Sequence, residues 1–80
     1  MSRYHPLTCK EVKKILKKLG FEPRKQDGTS HQHWVKIDKG QLYKVTVDCP
    51  KSPFGQDLIM YMARQAGVTK KQFYAALNKK

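Results

Sequence analysis

Apolar residues first recur at helical spacing: Val12, Ile15, Leu16 and Leu19 stand at i, i+3, i+4 and i+7, the stripe that lets a helix bury one face. Thr8 and Glu11 form a capping-box pair ahead of that stripe and Gly20 follows it, so the pattern predicts a helix over 9–19. Phe21 to Gln26 is a short run ending in Asp27-Gly28-Thr29, where glycine can take the positive φ of a tight hairpin. This predicts a first strand over 21–26, at a sheet edge because Pro23 has no N–H to give to a ladder. Two further runs rich in β-branched and aromatic residues, 30–37 and 41–48, flank Asp38-Lys39-Gly40 and predict an antiparallel meander.

Pro50, Pro53 and Gly55 then break the pattern as a loop. Leu58, Ile59, Met62 and Ala66 restore helical spacing, predicting a second helix over 57–66 with Gly67 at its C′ position. Thr69 caps a short last helix carrying Phe73, Ala76 and Leu77. The order α-β-β-β-α, with a short C-terminal helix, is an α+β fold in one domain over 1–80. A lone meander of this size is not stable, so the helices are expected on one face of the sheet. The layout resembles that of double-stranded-RNA-binding domains.

Charge changes the picture next. Lys and Arg number 17 against 6 Asp and Glu, a formal charge of +11, and such an excess selects a polyanionic partner. An anionic membrane is the weaker choice, because the longest apolar run, Leu58 to Ala63, falls far short of the roughly 20 residues of a spanning helix. The N-terminal Met1-Ser2-Arg3-Tyr4-His5-Pro6 has no apolar core of an export signal. A cytoplasmic protein is therefore expected, with Cys9 and Cys49 reduced and packed as small apolar side chains. Lys10, Lys13, Lys14, Lys17 and Lys18 occupy the polar face of the first helix, either solvated or laid against phosphate.

The densest chemistry lies in Gly28-Thr29-Ser30-His31-Gln32-His33-Trp34, two imidazoles and two hydroxyls at a hairpin mouth. Histidine titrates near neutrality, so it can take a proton from a ribose 2′-OH or give one to a leaving oxygen. Strand alternation puts His31, His33, Val35 and Ile37 on one face, and Ser30, Gln32, Trp34 and Lys36 on the other. If His31 meets substrate, Trp34 enters the helix-packed core and Val35 and Ile37 stay on an open face, where apolar residues suggest a protein partner. No Asp, Glu or third His lies near this pair in sequence, so a metal site is not expected. Ser30 points away from its neighbour His31, and no nucleophile elbow is present, which argues against a covalent triad.

Lys10-Glu11-Val12 leading to Leu19-Gly20-Phe21, then Gly28-Thr29-Ser30-His31 with Trp34, then Leu58 through Arg64-Gln65-Ala66-Gly67-Val68-Thr69 and Phe73 together resemble the HicA (YcfA-like) mRNA interferase toxins over nearly the whole chain. The resemblance implies the same α-β-β-β-α fold, cleavage of mRNA by the histidine of the family's Gly-Ser-His motif, here His31, and neutralisation by a HicB-type antitoxin that masks His31. Many members have Gly-Ser-His directly where this chain has Gly28-Thr29-Ser30-His31, and His33 falls where the family varies, so its role stays open. From residue types, His31 would act as general base or acid while Lys36 or Lys44 offsets charge developing on phosphate. Lys10 and Lys14 would bind RNA, no cofactor or metal would take part, and the products would be a 2′,3′-cyclic phosphate and a 5′-OH. Two rival readings stand beside this one. A non-catalytic RNA-binding module would hold a duplex by shape, although Gln56-Asp57-Leu58 lacks the lysine cluster such domains place at their second helix. A regulatory protein would use its basic surface only to hold an acidic partner.

Overall fold

A computed structural model describes residues 5–24 and 31–78, with His31 described through its backbone alone. α1 covers Cys9–Lys18. At its start the Thr8 hydroxyl accepts from the Glu11 N–H at 3.2 Å and the Glu11 carboxylate accepts from the Thr8 N–H at 2.9 Å, so two otherwise orphaned donors are satisfied. That bond from the Thr8 backbone, the largest influence, holds the Glu11 carboxyl below its ordinary range, with the Thr8 hydroxyl and His5 acting in the same direction. The helix ends where Gly20 takes φ +97° and the Phe21 N–H closes on the Leu16 carbonyl at 2.9 Å.

The first strand is shorter than the sequence predicts: β1 is Glu22–Pro23. Pro23 contributes no ladder donor, and the next bond runs from the Arg24 N–H to the His33 carbonyl at 2.7 Å. The remainder of the predicted strand and the Asp27-Gly28-Thr29 turn lie outside the described residues. β2 is His31–Asp38 and β3 is Gln41–Asp48, antiparallel in the order β1-β2-β3. Lys39 and Gly40 join them with φ of 52° and 78°, the two-residue loop whose twist matches the strands. A 3-10 turn, Cys49–Lys51, occupies part of the predicted loop before α2, Gln56–Gln65, and α3, Lys70–Leu77.

All three helices cover one face of the sheet. Trp34, Val45 and Val47 are buried together with Val12, Ile15 and Leu16 of α1, Ile59, Met62 and Ala63 of α2, and Phe73 of α3. Trp34 is thus a core residue, its indole N–H donating to the Gln32 side-chain oxygen at 3.1 Å. Among the described residues no helix lies on the opposite face, and Ile37 and Leu42, a cross-strand pair on it, are 75% and 58% exposed.

The cysteines differ from expectation. Cys9 and Cys49 are joined in a disulfide with their Cα atoms 5.2 Å apart. Forty residues separate them in sequence, and the meander returns the chain to the start of α1, where the Cys9 N–H donates to the Ser52 hydroxyl at 2.9 Å. No short-range spacing could have signalled that pairing.

Candidate active site

The β2–β3 ladder sets the composition of the open face row by row. From the strand ends toward the hairpin the pairs are His31 with Asp48, His33 with Thr46, Val35 with Lys44, and Ile37 with Leu42. Alternate strand residues share a face, so the first two rows form a polar end and the last is apolar. His31 is placed by its backbone as the first residue of β2, directly across from Asp48. The Asp48 side chain is only 20% exposed, and its carboxylate lies 3.9 Å from the Lys51 ammonium across the start of the 3-10 turn. His33 Nδ1 is 3.0 Å from the Thr46 hydroxyl, which fixes the orientation of that ring. The Thr46 N–H in turn donates to the Gln65 side-chain oxygen at 3.4 Å, tying α2 to the outer edge of β3.

The sequence-predicted cations do not gather around this polar end. Lys44 shares the open face and is exposed. It lies four residues along β3 from Asp48, about 13 Å at about 3.3 Å per residue. Lys36 is on the helical side, its ammonium donating to the Leu19 carbonyl at 2.8 Å and standing 5.7 Å from the Phe21 ring centre. Lys10 and Lys14 are exposed on α1, whose buried residues pack on the Trp34 side, so the sheet separates them from the His33 row.

Residue types alone pointed to neither Asp48 nor Lys51. Antiparallel pairing brings an acid opposite His31 from the far end of the next strand, where proximity in sequence gives no sign of it. The signal was present: a two-residue loop at Lys39 and Gly40 fixes the register of every pair beyond it. Counting back from Asp38 to His31 and forward from Gln41 reaches Asp48. Among the described residues, no three His, Cys, Asp or Glu side chains cluster closely enough to hold a metal ion.

Three comparisons bear on this arrangement. A family model described as HicA toxin of bacterial toxin-antitoxin matches residues 9–68, from the first residue of α1 to the end of the turn after α2. No curated protein and no solved structure matches the chain. No helix among the described residues is long and apolar enough to cross a membrane.

Proposed function

The chain belongs to the HicA toxin family of bacterial toxin-antitoxin systems, and from that premise we propose that it is a metal-independent endoribonuclease that cleaves mRNA and arrests translation, with His31 as the catalytic residue. The observation that carries this reading is the polar pair of rows His31–Asp48 and His33–Thr46 on the sheet face that no described helix covers. A strand of RNA can reach that face without any rearrangement of the core.

His31 takes the proton of a ribose 2′-OH as the 2′-oxygen attacks the adjacent phosphorus. The P–O5′ bond breaks, the departing 5′-oxygen takes a proton from solvent water, His31 gives its proton back to solvent, and a 2′,3′-cyclic phosphate and a 5′-OH remain. Asp48 serves as the positioning carboxylate that stabilises the imidazolium, the role an aspartate plays toward histidine in other proton-transfer sites. Lys51 stands beside Asp48 and offsets charge on the reacting phosphate. Lys44, about 13 Å along the strand, meets a flanking phosphate instead. Lys10 and Lys14 add to the field that draws RNA in, and Lys36 supports the turn after α1.

The apolar pair Ile37 and Leu42 lies on the same face, so a HicB-type antitoxin docked there would cover His31. An acidic partner would also gain association rate from the +11 charge. Growth arrest on expression tests the proposal. The His31→Ala chain should fold, bind single-stranded RNA and fail to arrest growth. Arrest that persists in this variant would overturn the nuclease reading, and loss of RNA binding together with arrest would favour a non-catalytic module.

A further inference from the structure

Beside the polar end of the open face, a cavity of about 170 Å³ opens between β3 and α2. Phe54 and Met62, both buried, form its floor. Leu58 and Tyr61 form its outer wall and are 38% and 60% exposed. They stand one helical turn apart on α2, while Ile59, Met62 and Ala63 supply the face that the core uses. This helix therefore carries an aromatic and an aliphatic side chain beyond what its packing requires. The rim on the strand side is Thr46 and Asp48, the residues paired with His33 and His31, and Lys51 closes the end.

We propose that this groove is a nucleobase subsite, in which one base of a single-stranded RNA, next to the bond cleaved, stacks on Tyr61 against Leu58 while its phosphate faces Lys51. The proposal rests on the ribonuclease reading above and names the part of the substrate that the site grips. Size limits the occupant, since drug-sized ligands fill about 300 Å³ or more and this space suits one planar ring. Charge limits it too: Lys51 and Asp48 balance at the mouth, and the +11 of the whole chain favours a ring attached to phosphate over a peptide side chain. A base inside a duplex has both faces covered, whereas unpaired bases can be splayed out onto aromatic side chains. Stacking of that kind tolerates every base, so the groove would hold the strand in place while discrimination comes from the polar rim.

A binding cycle tests this in the full-length His31→Ala chain, which leaves its probe uncut. The probe is a short single-stranded oligoribonucleotide of mixed sequence, compared with versions carrying one abasic position moved along it. Adding Tyr61→Ala should weaken binding about 10-fold or more, and Tyr61→Phe should restore it. One abasic position should cause a similar loss in the parent, yet cause none in the Tyr61→Ala background. Equal affinity with and without Tyr61, or losses that simply multiply at every abasic position, would overturn the subsite. Failure of the nuclease reading is separate, because it would appear as wild-type protein that leaves RNA intact while the coupling between Tyr61 and one base persists.

Discussion

The ladder pairs Asp48 with His31, and a carboxylate so placed can orient a catalytic imidazole. Asp48→Asn keeps the shape and removes the charge. It should lower the cleavage rate about 100-fold or more, within the span of acid–base catalysis, while RNA affinity and the urea unfolding midpoint stay unchanged. A rate loss matched by a fall in the unfolding midpoint would mean that Asp48 matters only to folding. Glycine 67 offers a purely structural counterpart. It has φ +76°, and a Cβ built there would sit 2.8 Å from the Tyr43 ring, whereas at Gly20, φ +97°, the nearest atom is 3.7 Å away on the flexible Lys36 chain. Gly20→Ala should cost about 1–2 kcal/mol from backbone conformation alone, and Gly67→Ala more, as read from urea unfolding. The sequence marked Gly67 as a helix terminator through local pattern; the ring pressed against it comes from β3, more than twenty residues away, and no local pattern carries that.

Elements whose boundaries depend on neighbouring residues were the readable ones. α1 lies within one residue of its predicted end because Thr8 and Glu11 cap it and Gly20 stops it, and β3 matches its predicted span because the Lys39-Gly40 loop fixes its start. Within the described residues β1 ends at Pro23, which has no N–H to give to a ladder. The cap of α1 has a pH signature. The Glu11 carboxyl is lowered chiefly by the Thr8 backbone bond, so the stability it adds is present above the ordinary carboxylate range and is lost as pH falls through the lowered value. Glu11→Gln should flatten the acid side of the stability–pH curve, while Thr8→Ala should cost about 0.5–2 kcal/mol at neutral pH. Both are measured by denaturant titration across pH, and an unchanged acid slope in Glu11→Gln would remove the capping carboxylate from the account.

At the scale of the whole molecule, the sheet has two sides: a helical side that holds the core, and an open side that carries His33 and the exposed pair Ile37 and Leu42. Strand alternation made the split legible, placing Trp34 with the helices and Ile37 in solvent. The disulfide was not legible, because its partners meet only after the meander closes. Cross-linking across 40 residues constrains the unfolded chain, so reduction should lower the unfolding free energy by roughly 2–4 kcal/mol; no change on reduction would contradict that. Charge gives a second whole-molecule test, since each phosphate neutralised on a single strand adds about 0.7 to the slope of log affinity against log salt. Raising salt should weaken RNA binding far more than it shifts the unfolding midpoint, and a flat salt response would argue against RNA as the partner. The most direct measurement is end-group analysis of RNA incubated with purified wild-type and His31→Ala protein in the presence of a chelator. The account predicts fragments ending in 2′,3′-cyclic phosphate and 5′-OH from the wild type and intact RNA from the variant; identical fragments from both proteins, or 5′-phosphate ends, would contradict it.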